Sequence, residues 1–156
     1  MSGPLGKRRT PLDGVDSHPL LEPRPPHAIW IADGESPDID GATRLSVGPE
    51  RWWLVIDGEV PPAPASVTDV SHGMTRLRVC GPHSEAVLTS GISLDLDQSA
   101  FEVGAAAATA FRSIFVLLHR TGAAAFDVYT PRSTVSSLWE WLVDTAEGFQ
   151  PTMRSN

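Results

Sequence analysis

Short runs of β-branched and aromatic residues, closed by glycine or proline, recur between residues 28 and 79 and predict a sheet of short strands. The clearest strand spans residues 75–79, where Thr75, Leu77 and Val79 alternate with Arg76 and Arg78. This period of two predicts that both arginines lie on a water-exposed face. Four further predicted strands are residues 28–32, 43–47, 52–56 and 67–71.

The second half adds a predicted helix and a predicted β-hairpin. Pro82 near the start and Gly91 after the end bracket a short helix at residues 82–90. The apolar run 111–119, a turn at Thr121-Gly122 and the alternation that follows it predict the hairpin.

A second helix is predicted at the end of the chain. Its apolar residues recur at steps of three and four, and they are Val135, Leu138, Leu142, Ala146 and Phe149. Residues 66–149 thus give the order β-β-α-β-β-α. This order predicts the α+β class, with helices packed on an antiparallel sheet.

Proline divides the chain into an arm, a domain and a tail. A chain of 156 residues can bury one ordinary core. Residues 1–26 contain six prolines and the basic triplet Lys7-Arg8-Arg9, so we expect a flexible arm or one wrapped on a partner. The Pro-Pro-Ala-Pro run at 61–64 predicts a rigid linker within a single domain at 27–150, with a tail at 151–156.

Charge and hydropathy exclude several classes of partner. The net charge is -7 and the chain has a single lysine, so we expect no nucleic-acid partner. The longest apolar stretch, 114–118, is far shorter than the roughly 20 residues of a membrane span, and the start of the chain has no signal-peptide pattern. We expect a cytoplasmic protein without membrane contact. Cys80 has no second cysteine to pair with and is predicted to be a small buried apolar group.

The usual motifs of catalytic and nucleotide-binding sites are missing from the sequence. It contains no Gly-x-Gly-x-x-Gly, Gly-x-x-x-x-Gly-Lys-Ser/Thr, His-Glu-x-x-His or Gly-x-Ser-x-Gly. The pairs Ser71-His72 and His83-Ser84 lack an orienting third group, and the five histidines are scattered. Asp95 and Asp97 alternate with leucines and fit a solvated edge better than an acid-base pair. The sequence therefore predicts no catalytic, cofactor-binding or metal-binding residue.

An ordered set of short motifs runs from about residue 45 to residue 149. The set comprises Gly-Pro-Glu-Arg-Trp-Trp-Leu-Val at 48–55, Asp69-Val70-Ser71-His72, Gly81-Pro82, Gly91-x-x-Leu94-Asp95-Leu96 and Pro131-Arg132-Ser133. With this set the chain resembles the gamma subunit of heterotetrameric sarcosine oxidase. The second and third motifs also resemble the folate-binding aminomethyltransferase of the glycine cleavage system, which is far longer.

The resemblance implies an aminomethyltransferase-like fold and a subunit without an active site. In such complexes, larger alpha and beta flavoprotein subunits with FAD, FMN and NAD oxidatively demethylate sarcosine to glycine and pass the one-carbon unit to tetrahydrofolate. A small delta subunit completes the assembly. The same subunit role in a complex acting on another N-methylated amine, or a free-standing folate-binding protein, are the alternatives.

The motif residues have structural roles in this interpretation. Gly81 and Pro82 turn the chain from strand into helix, and Gly91 is predicted to end that helix in a left-handed conformation. Leu94 and Leu96 are predicted to hold the next loop against the core.

Two tryptophans stand close together on the last predicted helix. Trp139 and Trp141 are two residues apart and cannot both face the same core. Trp139 fits the apolar face better. We therefore expect Trp141 to point outward and to anchor an interface with a partner.

Overall fold

The computed structural model describes residues 21–149, which form nine strands and two helices. The strands before the first helix are β1 Leu21–Pro23, β2 Ala28–Asp33, β3 Ala42–Gly48, β4 Arg51–Ile56, β5 Val67–Asp69 and β6 Met74–Cys80. They are followed by α1 Ser84–Thr89, β7 Ala106–Phe111, β8 Ile114–Gly122, β9 Ala125–Pro131 and α2 Val135–Glu147. Neither helix in this part of the chain is long and apolar enough to cross a membrane.

The strands form two antiparallel sheets. The larger sheet has the order β1-β6-β9-β8-β7, and the smaller has the order β3-β4-β2-β5. Both helices contribute to the apolar cluster on one face of the larger sheet, whose other face packs against the smaller sheet. The result is three layers: helices, larger sheet and smaller sheet.

Each contact between layers has its own apolar cluster. Side chains of the larger sheet and both helices form the main one, which includes Leu77, Val128 and Leu142. A second cluster joins the sheets, with Trp53 edge-on to Tyr129 at 6.0 Å between ring centroids. Such clusters are the main stabilising contribution in a domain of this size.

The α+β class and the position of most elements were predictable, and both are confirmed. Three details differ. Strand β7, with sequence Ala-Ala-Ala-Thr-Ala-Phe, was missed because alanine carries little strand signal. The β8–β9 turn falls at Ala123-Ala124, two residues later than predicted. Residues 94–97 form a loop where alternation suggested extended chain.

The arm predicted at 1–26 overlaps the ordered domain. Residues 21–23 pair with β6 as β1, and Leu21 is buried in the main cluster, so the described domain begins before residue 27. The Pro-Pro-Ala-Pro run at 61–64 lies outside every helix and strand. Residues 1–20 and 150–156, which include most of the arm and the tail, lie outside the described residues.

The expectation that Arg76 faces water is wrong. Its side chain is only 5% exposed, whereas that of Arg78 is 27% exposed. The two arginines do share one face of the sheet, as the alternation predicts. The prediction also assumed that water covers this face. The smaller sheet covers part of that face, and the covered part includes Arg76.

Candidate functional site

Asp69 and Ser71 connect the end of β5 to β2. The backbone N–H of Ser71 donates to Asp69 Oδ1 at 2.9 Å, and the Ser71 hydroxyl contacts the same oxygen at 2.5 Å. The hydroxyl oxygen also accepts the backbone N–H of Ile29 at 2.8 Å. Because Ser71 is buried, these bonds satisfy groups that water does not reach. His72, beside it, is exposed. The Asp-Val-Ser motif is therefore a brace between strands in this part of the chain.

Gly81 makes the sharp turn between β6 and α1. Its φ is +109°, a conformation open to glycine and costly for other residues. Its N–H donates to the carbonyl of Ala124 at 2.9 Å, which ties the turn to the β8–β9 connection. Pro82 is exposed and directly precedes His83, the residue that caps α1.

Replacing Gly81 by valine should destabilise the isolated chain by about 1–3 kcal/mol, because a β-branched residue is forced to a positive φ. Gly58→Val is the matched control, since Gly58 has an ordinary φ and open space around it. Urea unfolding of both variants gives the comparison. Equal losses of stability would show that the turn has no glycine requirement.

Gly91 is needed for space rather than for a left-handed backbone. Gly91 is absent from the positive-φ residues, and Ser90, the C-cap residue after α1, has an ordinary right-handed conformation. A Cβ at position 91 would lie 2.6 Å from the ring of Phe111. That ring is fully buried, and it also contacts Trp141 at 6.4 Å between centroids. The predicted left-handed cap is therefore wrong, and close packing against Phe111 replaces it.

Gly91→Ala should cost about 1–3 kcal/mol, because the added methyl group would overlap the fully buried ring of Phe111. Gly58→Ala, in open space, should change stability little. The second substitution Phe111→Leu should recover part of the loss in Gly91→Ala. Stability unchanged by Gly91→Ala alone would mean that the ring moves freely.

The Leu-Asp-Leu motif forms a loop that is held from both sides. Leu96 is buried and Leu94 packs partly against the main cluster. Asp95 accepts the backbone N–H of Asp97 at 3.0 Å, and Asp97 in turn accepts from Ser99. Both aspartates are exposed, and the bonds to Ser99 lower the pKa of the Asp97 carboxyl. They act as turn-forming residues.

Arg120 holds the same loop from inside, and sequence reasoning missed it. Its side chain is 1% exposed and its guanidinium donates to the carbonyls of Leu96, Phe101 and Ala123 at 2.7–2.8 Å. The charge is balanced by Glu85 of α1 at 3.3 Å and lies 4.7 Å above the ring of Phe126. One arginine thus joins β8, α1, the motif loop and the β8–β9 turn.

Arg76 is a second buried arginine with several polar partners, and it lies between the two sheets. Its guanidinium makes a two-bond contact with Asp57, just after β4, and its Nε donates to the carbonyl of Arg24 at 2.6 Å. Asp127 lies 3.9 Å away and Tyr129 OH 3.4 Å away. Partial burial alone would raise the pKa of Asp57, but the bonds and charge of Arg76 outweigh it and lower that pKa. Burial raises the pKa of Tyr129 to about 12.

The two helix tryptophans have different environments. Trp139 is 5% exposed and belongs to the main cluster. Trp141 is partly buried, packs on Phe111 and lies under the guanidinium of Arg112 at 4.8 Å. Trp141 therefore points outward only in part, since its ring also packs against Phe111 and the main cluster.

Two surface cavities lie away from the Asp-Val-Ser, Gly-Pro, Leu-Asp-Leu and Pro-Arg-Ser motifs, although one of them touches the motif at 48–55. A slot of about 200 Å³ between the sheets is lined mainly by apolar side chains, among them Trp53 and Phe115, with Arg51 also contributing. A more open hollow of about 660 Å³ carries Asp38, Asp40 and Glu59. No group of three or more histidine, cysteine or acidic side chains in residues 21–149 could hold a metal ion.

The architecture defines a small α+β domain whose two antiparallel sheets and two helices are joined by buried arginines. The family model of the GCVT N-terminal domain matches residues 45–153, and the chain belongs to that family. The sarcosine oxidase gamma subunit of Corynebacterium sp. (strain U-96) is 28% identical, over 93% of this chain and 75% of the relative. That of Arthrobacter sp. is 30% identical, over 73% of this chain and 62% of the relative.

A solved structure has the same fold. A chain of heterotetrameric sarcosine oxidase from Corynebacterium sp. U-96 superposes with a TM-score of 0.69 at 21% identity, over 83% of this chain and 84% of that one. The resemblance to gamma subunits of sarcosine oxidase and to aminomethyltransferases, predicted from the motifs, is confirmed. The sarcosine oxidase gamma subunit of a second Corynebacterium strain, P-1, is 28% identical, over 80% of this chain and 64% of the relative.

Proposed function

We propose that this chain is a gamma-type, non-catalytic subunit of a heterotetrameric sarcosine oxidase complex. The similarity to three proteins named sarcosine oxidase subunit gamma carries the proposal. The geometry agrees with it, because the motif residues brace strands, turns and a loop. The complex would demethylate sarcosine to glycine and transfer the one-carbon unit to tetrahydrofolate.

The partners in this proposal are larger alpha and beta flavoprotein subunits and a small delta subunit, in the cytoplasm. FAD, FMN, NAD and tetrahydrofolate would be bound by those partners rather than by this chain. The arm at residues 1–20 and the α2 surface around Trp141 are the proposed contacts. A truncation that tests the arm should start at Leu21 and not at His27, because β1 contributes the buried Leu21 to the core.

The purified single chain should show no flavin absorbance and no sarcosine oxidation, because no nucleotide-binding motif is present in its sequence. When it is co-expressed with the large subunits, affinity capture of this chain should recover them together with their flavin absorbance. Sarcosine oxidation by the single chain would contradict the non-catalytic role.

Two alternatives predict different results. A subunit of a related N-methyl amine demethylase would capture flavoproteins that oxidise a substrate other than sarcosine. A free-standing folate-binding protein would capture none and would release heat when titrated with tetrahydrofolate. Running capture and titration on the same preparation separates all three functions.

A further inference from the structure

The turn between β7 and β8 contains an arginine in a conformation that favours glycine. Arg112 has a φ of +56° in the two-residue connection from Phe111 to Ile114. Glycine, asparagine or aspartate usually fills such a position, because a Cβ there is disfavoured. The backbone is held in place, since the N–H of Arg112 donates to the carbonyl of Gly91 at 2.7 Å. Arginine is uncommon at a positive φ, and this motivates the search for a role of its side chain.

Aromatic rings support the exposed guanidinium of Arg112. Its Cζ lies 4.8 Å from the ring centre of Trp141 and 5.7 Å from that of Phe111. The Trp141 ring is itself partly buried against the main cluster, and this packing fixes the ring on which the guanidinium of Arg112 lies. Arg112 is nevertheless an exposed residue, available to a second molecule.

Among the described residues, Arg112 also differs from most other arginines because no carboxylate pairs with it. Five arginines within residues 21–149 each pair with an aspartate or glutamate, namely Arg24, Arg51, Arg76, Arg78 and Arg120, whereas no ion pair involves Arg112. This is notable in a chain with 19 acidic residues against 12 basic ones. Its charge is therefore free for an external carboxylate, which an arginine binds with two hydrogen bonds.

We propose that Arg112, supported by Trp141, is the docking point for an acidic segment of a larger partner subunit. This inference rests on the proposed subunit function and specifies the chemistry of one contact. Arginine and tryptophan are enriched among the residues that dominate protein interfaces, and here they are stacked on each other. Charge complementarity selects an Asp- or Glu-containing segment over an apolar one.

The substitution Arg112→Gly allows an effect on partner binding to be distinguished from an effect on folding. Glycine accepts the positive φ, so the isolated variant should have an unchanged or higher melting temperature. Its affinity for the co-purified large subunits, measured by biolayer interferometry in 50 mM salt, should fall at least tenfold. The wild-type affinity should also weaken more steeply with added salt than that of the variant.

The matched control is Arg44, which lies over the ring of Trp52 at 5.7 Å on the smaller sheet, at an ordinary strand position. Arg112→Gln should weaken binding and Arg44→Gln should not, although both remove one charge. Wild-type affinity in Arg112→Gly, or equal losses in the two glutamine variants, would overturn the inference while leaving the proposed function in place. Failure of the wild type to bind the large subunits would overturn both.

A second copy of this chain could bind Arg112 in place of a partner subunit, and the oligomeric state of the isolated chain distinguishes the two cases. Sedimentation of the isolated wild type should give a monomer at the concentrations used for binding. A dimer that Arg112→Glu dissociates would identify a second copy as the occupant and would contradict the proposed acidic segment.

Discussion

Arg120→Met should destabilise the isolated chain by about 3–5 kcal/mol, the largest effect expected from any single substitution considered. Methionine retains much of the apolar stem but leaves the buried carbonyls of Leu96 and Phe101 without the donor that Arg120 supplies. Arg120→Lys should recover little of this stability, because an ammonium group cannot reproduce the planar set of bonds. Urea unfolding monitored by tryptophan fluorescence measures both variants.

Two controls show whether this loss is specific to the buried site. Arg44→Met removes an exposed arginine and should change the free energy of unfolding by less than about 0.5 kcal/mol. Glu85→Gln tests the charge alone and should cost only about 1 kcal/mol, because Glu85 is 42% exposed. An Arg120→Met variant as stable as Arg44→Met would mean that the motif loop does not depend on the guanidinium.

The double substitution Asp57→Asn, Asp127→Asn should also cost about 3–5 kcal/mol, because it leaves the buried Arg76 without a counter-charge. Asp57→Asn alone should cost about 1–2 kcal/mol, a smaller value because its side chain is 55% exposed and water screens the pair. The two losses should not add, since both carboxylates neutralise the same guanidinium. Unfolding of the two single variants and the double variant forms a complete mutant cycle.

The ion pair of Asp57 with Arg76 also predicts how the free energy of unfolding depends on pH. The pKa of Asp57 is lower in the folded chain than in the unfolded one. Its contribution is therefore fully present above the unfolded pKa of about 3.9 and is lost as pH falls through the folded value. The difference in stability between wild type and Asp57→Asn should be constant from pH 5 to 7 and should shrink below about pH 4. A constant difference down to pH 2 would contradict the lowered pKa.

The spacing of apolar residues predicted correctly those elements that bury one face and expose the other to water. Helix α2 is the best case, since Val135, Leu138, Leu142 and Ala146 are all buried as their spacing required. Phe149 is different: it is exposed and stacks on His83 at 5.5 Å between ring centroids, because the helix ends before it. Pattern alone cannot say where the last turn stops.

The buried arginines were harder to predict, for a physical reason. A sheet face shows the same alternation whether water or another sheet covers it, so the environment of Arg76 required knowledge of the smaller sheet's position. Arg120 did leave a signal in the sequence. It shares the strand face of Val116 and Leu118, and a charge on an apolar face must be paired if that face is buried.

The measurement that most directly tests the subunit function is native mass spectrometry of this chain purified after co-expression with its candidate flavoprotein partners. We expect to find the chain in an assembly of four different subunits, one copy of each, and we expect this assembly to oxidise sarcosine. An uncomplexed chain beside a fully assembled and active flavoprotein would contradict it.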